Sequence, residues 1–360
     1  MNTHIPTKEQ LAGFEKELDA LRAVTISQLG EYDEKHIKRI ILVQRFAEIS
    51  GRALLQFGLF PPFWLAGTAL LSVSKILDNM EIGHNVMHGQ YDWMNDPTIH
   101  SSNFEWDTAC AAKSWRRTHN FEHHTFTNII GKDRDYGYGI LRMDNTSPFQ
   151  KDDYFNLLKF ALLSAFFQYG VALHELESDR IKKGEIQLKD KRNFLKDLAK
   201  KGGRQIVKDY VFFPALGALT GSTLPVLAGN AVANLVRNLW ASTVIFCGHF
   251  PEGSHTFDES ECTNESKGQW YYRQILGSCN FSGSRLMHIM SGHLSFQVEH
   301  HLFPDIPSSR YEALSKEVQV ICQKHNIPYN TASMSKQYVS VIKKMFRNSF
   351  PNGNKQLAKA

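Results

Sequence analysis

Apolar residues recur every three or four positions at Leu11, Phe14, Leu18 and Leu21 within a segment of mixed charge, which predicts an amphipathic N-terminal helix. From Ala53 to Ser74, and again from Tyr210 to Val236, no residue is charged. A bilayer crossing takes about 20 apolar residues, so both stretches are candidates for membrane insertion. Pro61 and Pro62 interrupt the first stretch, and Pro225 with Gly229 the second, while apolar sequence continues on either side. The pattern predicts two helical hairpins, 41–60 with 63–80 and 209–227 with 230–247. Arg45, Arg52 and Arg237 fall in or beside these spans, where a charge must snorkel or find a partner. A further apolar run, 155–173, precedes a Lys- and Arg-rich segment, 180–208, that belongs on the cytoplasmic side. Spanning by 155–173 would separate that segment from the histidines before it, so this run is expected to lie in the interface. The expected organisation is an N-terminal amphipathic cytosolic segment (1–40), a membrane domain (41–317) and a cytosolic C-terminal tail (318–360).

Composition adds exclusions. The mean hydropathy of -0.33 averages polar ends with long apolar runs and so misrepresents both. A net charge of +5 over 360 residues, with no basic run interleaved with aromatics, argues against a nucleic-acid partner. The five cysteines form no CxxC pair, which excludes a disulfide framework, a zinc knuckle and an internal iron-sulfur cluster.

Eight of the sixteen histidines form an ordered set. His84 and His88, at the end of the second predicted span, are spaced i, i+4 on one helical face; His119 and His123 repeat the pair, with His124 turned to one side. His249 follows the fourth span, and His300 with His301 closes the series. Imidazole suits iron, zinc, copper and nickel alike, so the residue type leaves the metal open. A catalytic zinc takes three protein ligands and a structural zinc four, so eight histidines suggest two metals. Few carboxylates stand at ligand spacing among them, unlike the carboxylate-rich di-iron bundles. His174-Glu175 begins an HExxH pattern that fails at Ser178. His4, His36, His174, His255 and His325 stand alone and read as ordinary surface or core histidines.

The segments GHNVMHGQYDWMNDP, FEWD, THNFEHHTFTNI, CGHFPEG and QVEHHLFPDIPSSRY resemble the histidine boxes of the membrane fatty acid desaturases, most closely those of the stearoyl-CoA Δ9 type, over about 39–317. The QxxHH-LFP piece is the most specific. The resemblance implies an all-α membrane protein of four transmembrane helices in two hairpins, with a cytosolic helical cap holding two iron ions. It also implies O2 as co-substrate, a tunnel for the acyl chain, and an active site on the cytoplasmic face. His84, His88, His119, His123, His124, His249, His300 and His301 match the family's iron ligands. Gln297 stands where some relatives carry another histidine, and His293 where similar sequences carry a small or amide residue.

Asp96, Asp107, Glu122, Asp133, Asp135, Glu299 and Asp305 lie near the boxes and are candidates to receive the second N–H of a ligand ring. Trp93, Trp106, Trp115, Phe121 and Phe126 are candidates to line the tunnel, and Lys113, Arg116 and Arg117 to hold a CoA phosphate. Desaturation consumes two external electrons per O2, and the sequence shows no GxGxxG loop, ferredoxin cysteines or HPGG haem motif. The expected donor is a separate ferredoxin-type or cytochrome b5-type carrier fed by an NAD(P)H reductase and docking near 180–208, a surface that also suits anionic lipid. Alternatives are a di-iron membrane hydroxylase of a lipid or alkane, a zinc-dependent membrane hydrolase, and a metal transporter. The last is disfavoured because the histidines sit at and beyond the span ends.

Overall fold

The computed structural model describes residues 6–145 and 148–351, so His4 lies outside the described residues. Helix dominates, and among the described residues the departures from the all-α expectation are a parallel pair of short strands, β1 (Asn280–Ser282) and β2 (Thr331–Ser333), and an isolated bridge between Ile129 and Phe257.

Helix α1 (Lys8–Ser27) begins at a reciprocal cap in which Thr7 and Gln10 each accept the other's backbone N–H through a side-chain oxygen. Its expected apolar stripe is real: Leu11, Phe14 and Leu18 are buried, the last two against Tyr271, Phe303 and Val318. The first hairpin pairs α2 (Glu31–Leu55) with α3 (Pro61–Leu77). The two prolines expected to separate its spans open α3 instead, where a missing N–H is harmless, and the chain reverses over 56–60. The helices meet backbone to backbone: a Cβ on Gly51 would lie 2.9 Å from the Gly67 carbonyl oxygen.

The apolar run 155–173 is not one helix. α4 (Asn156–Ala165) and α5 (Phe167–Leu173) belong to stretches that meet at a 96° bend, where the Asn238 amide captures the Ala165 carbonyl at 2.9 Å. Then α6 (Arg192–Val207) continues through a π turn at Lys208–Phe212 into Phe213–Thr220. The second reversal falls at Gly221, in the left-handed region, so Pro225 and Gly229 lie inside α7 (Thr223–His249) and not at the turn. Pro225 occupies the first turn of α7, where no amide is missed, and Gly229 admits the Leu55 side chain, which a Cβ would meet at 2.6 Å.

Among the described residues no single helix is long and apolar enough to cross a membrane. α2 carries Arg45, Glu48 and Arg52, α3 runs into the polar π turn Asp78–His84, and α7 carries Asn230, Asn234, Arg237 and Asn238. The paired hairpins are nonetheless apolar outside and polar within. Ile49 is 70% exposed and Leu219 85%, whereas Asp209 is fully buried and receives Lys75 at 2.7 Å, Asn234 at 3.0 Å and Arg52 at 3.5 Å.

The cap is built from α8 (Lys267–Gly277), α9 (Gln297–Leu302), α10 (Tyr311–Lys324) and α11 (Met334–Arg347). The segment expected as a tail is thus folded as far as it is described. Val341 and Met345 of α11 enter the main core with Phe160 and Phe246.

Candidate metal centre

A π turn, Asp78–His84, leads into the first histidine box, whose His84–His88 step is the α turn its i, i+4 spacing suggests, whereas the second box rides on a π turn, Arg116–His123. The wider turn is a feature concentrated at functional sites. The two rings of each pair lie together, His84 to His88 at 4.6 Å and His119 to His123 stacked at 4.9 Å between centroids. α7 delivers His249 at its last turn and α9 delivers His300 and His301.

All eight box histidines converge. One group joins a nitrogen each from His84, His88, His119 and His300, a second from His123, His249 and His301, and a third overlaps them through His124, His300 and His301, the atoms of each lying within 4.8 Å of one another. Each of the eight rings keeps at least one buried nitrogen with no hydrogen-bond partner: Nε2 of His84, His88, His119, His123, His300 and His301, Nδ1 of His249, and both nitrogens of His124. Orphaned buried acceptors are costly, so this many facing one another is the signature of a donor set for metal.

The opposite nitrogens are held. His119 Nδ1–H donates to Asp135 at 2.8 Å and His123 Nδ1–H to Asp133 at 2.9 Å. His84 Nδ1–H donates to the Asn85 amide oxygen at 3.0 Å, and His301 Nδ1–H to Gln274 at 2.9 Å. His300 Nδ1 lies 3.3 Å from the Tyr311 hydroxyl, which passes its own proton to the Phe303 carbonyl. Such partners fix the tautomer and aim the free nitrogen inward. Burial and neighbouring imidazoles push His84 down to about 3 and hold His88, His124, His249, His300 and His301 well below the ordinary range, so these rings are neutral. His119 is lowered by burial against the pull of Asp135; at His123 burial is outweighed by Asp133 and Asp135, and the value rises.

A narrow cavity of about 50 Å³ reaches His84 and His119. Trp106, Trp115, Tyr138 and Phe167 supply apolar wall, and Asn238, Ala241 and Ile245 line it along one face of α7. That face runs about 10 Å away from the histidines at 1.5 Å per residue.

Several sequence candidates fall elsewhere. Asp96 caps Thr98 at the surface, Asp305 pairs with Arg22, Asp107 with Lys75 and Lys208, and Glu122 with Arg134 and Arg117, while Glu299 accepts from Asn280 and Tyr329. Only Asp133 and Asp135 take ligand rings. Gln297 does reach the centre: its Nε2 is 3.0 Å from His249, and its buried Oε1 has no partner. His293 turns away to Glu81 at 2.9 Å. Of the substrate candidates, Trp106 lines the cavity, as does Trp115, stacked on His119 at 4.4 Å. Trp93 instead donates to the Gln90 carbonyl, Phe121 is 65% exposed, and Phe126 lies under Lys132. Lys113 is exposed, Arg116 donates to the Ser101 carbonyl, and Arg117 pairs with Glu122 and Glu175; none of the three lines the cavity.

The sequence reading names none of Asn85, Gln274 and Tyr311 as a partner of a ligand ring. Asn85 and Tyr311 stand inside the diagnostic motifs and were open to notice. His174, expected as an ordinary lone histidine, lines the cavity and sets its ring nitrogens 3.2 Å from Asp135 and 2.5 Å from the Arg134 carbonyl.

A family model described as fatty acid desaturase matches residues 60–333. An NADPH-dependent stearoyl-CoA 9-desaturase of Mycobacterium tuberculosis is 45% identical over 348 residues, which cover 96% of this chain and 82% of the relative. An sn-1 linoleoyl-lipid 6-desaturase of Synechocystis is 26% identical over 281 residues, covering 74% of this chain and 75% of that protein.

Proposed function

Because this chain belongs to the fatty acid desaturase family, and is accordingly an oxidoreductase, we propose that it introduces a cis double bond at carbon 9 of a long saturated acyl-CoA at a histidine-ligated di-iron centre. The observation that carries this reading is the set of orphaned imidazole nitrogens at the end of an apolar cavity. His84, His88, His119 and His300 would hold one iron and His123, His249 and His301 the other, with His124 on the edge that His300 and His301 share, and Gln297 Oε1 is available for a further position. Bound iron supplies the O2-dependent oxidation that an unactivated methylene requires. Overall, the CH2–CH2 unit, O2, two electrons and two protons become an alkene and two waters. The chain's own share is to aim the rings through Asp133, Asp135, Asn85, Gln274 and Tyr311, to exclude water with Trp106, Trp115 and Phe167, and to hold the acyl chain straight along α7.

The inverted polarity of the two hairpins supports embedding as four spans within 41–317, with α4 and α5 bent in the interface and the cap on the cytoplasmic side. Apolar side chains face outward where lipid would be, and charges pair inside. Electrons come from a separate carrier; the NADPH dependence in the name of the mycobacterial relative agrees with a reductase upstream. On α6, Arg192, Lys196, Lys200 and Arg204 form an exposed i, i+4 stripe suited to an acidic ferredoxin-type or cytochrome b5-type protein.

Expression in a host lacking its own desaturase, followed by gas chromatography of derivatised fatty acids, tests the reading. A new alkene at carbon 9 is expected; a hydroxylated product, or zinc in place of iron in the purified protein, would overturn it. Ala241→Trp should block the cavity short of Asn238. The product is then expected to shift toward shorter chains, the ratio of 16- to 18-carbon product rising about tenfold in the same chromatograms.

A further inference from the structure

Outside the eight box histidines, a second polar cluster joins three distant parts of the chain. Glu81 is fully buried on the π turn that leads to His84. Its Oε1 lies 2.6 Å from His36 Nε2 on α2 and accepts the Ser308 hydroxyl at 3.0 Å, and its Oε2 lies 2.9 Å from His293 Nδ1. His36, Glu81 and His293 bring metal-capable atoms within 4.8 Å of one another. A metal is nevertheless the wrong occupant, because these nitrogens already sit at hydrogen-bond distance from the carboxylate and none is an orphan. They are N–H donors to a buried anion.

The cluster acts on the neighbouring histidine through one amide. Asn85 Nδ2 donates to the Glu81 carbonyl at 3.0 Å, to the Gly292 carbonyl at 3.3 Å and to the Glu81 carboxylate Oε2 at 3.5 Å, which aims Asn85 Oδ1 at His84 Nδ1–H. Gly292, at φ +67, presses on the same turn so closely that a Cβ would meet the Met80 carbonyl at 2.6 Å. Each of the two main ligand groups has one ring on a carboxylate, His119 on Asp135 and His123 on Asp133. Behind His84 stands a further fully buried carboxylate, that of Glu81. We propose that Glu81, clamped by His36 and His293, is a positioning residue for His84: through Asn85 it sets the ring's orientation and donor strength and makes the two metal positions unequal. The inference rests on the reading of the boxes as iron ligands.

Mössbauer spectra of the full-length protein loaded with 57Fe in detergent test it without recourse to turnover. The wild type should show two iron environments of equal area. In Glu81→Gln one of them is expected to move while the other stays, and iron at the moved position should pass to a chelator about 10- to 100-fold more readily. Asn85→Asp, which keeps an acceptor for His84 Nδ1–H, should restore most of that retention. His36→Leu, at the solvent edge of the clamp, should move the same environment by less, and it carries the test should Glu81→Gln not fold. Two unchanged environments in Glu81→Gln or His36→Leu would overturn the proposal. So would both environments moving together with a lowered melting temperature, which marks a general loosening of the cap. A wild type that binds no iron pair would instead overturn the reading on which the proposal stands.

Discussion

His300→Ala is expected to abolish new double bonds in the expression assay, cutting the rate by about a thousandfold or more while the chain stays folded. His300 is the ring that two ligand groups share, and its centroid lies 4.6 Å from that of His88 and 4.8 Å from those of His84 and His124. Removing it takes one of four rings from the His84 group and breaks that group's link to His124 and His301, and a loss of several kcal/mol of metal-centred stabilisation corresponds to a factor of that size. Bound iron should fall in parallel. His325→Ala is the matched control, because His325 pairs with Glu17 and packs edge-on against Phe14 and belongs to none of the histidine groups of the centre. Full desaturation by His300→Ala, with protein levels equal, would remove the assignment of the third box.

Asp209→Ala should be the most destabilising substitution away from the histidines, by about 3–5 kcal/mol. Its carboxylate is fully buried and shared by Lys75, Asn234 and Arg52, and Lys75 is itself only 2% exposed. Deleting the anion leaves Lys75 without its nearest counter-charge. Lys75 also reaches Asp107 at 3.4 Å, next to Trp106 in the cavity wall, so acyl binding should weaken with the fold. Thermal unfolding in detergent measures the first effect and acyl-CoA titration the second. Leu219→Ala, at an outward position 85% exposed, should change detergent stability by no more than about 0.5 kcal/mol. Equal melting temperatures for the two variants would show that the buried ionic cluster contributes nothing.

The elements most legible in the sequence are those set by local rules. The α1 stripe follows helical periodicity, and Leu11, Phe14 and Leu18 are buried as that period requires. The hairpin turns were misplaced by a few residues because proline and glycine carry two meanings. Pro61 and Pro225 serve as first-turn residues and Gly229 as a packing gap, and a one-dimensional pattern does not separate these uses from a break. The bend at Phe166 was invisible for a different reason: it is fixed by Asn238, 73 positions from the carbonyl it captures.

By itself the sequence determined the family, through the third box with LFP, and it singled out the eight box histidines that the structure gathers into one buried cluster. Only the tertiary structure decided what stands behind the rings. It chose Asp133 and Asp135 over Asp96, Asp107, Glu122 and Glu299, put Gln274 on His301, and brought His293 back across 212 positions to Glu81. A ligand must be near its metal and so leaves a motif, whereas the partner of a ring N–H needs only an acceptor in the right place. Which acceptor arrives there is settled by the packing of helices far apart along the chain.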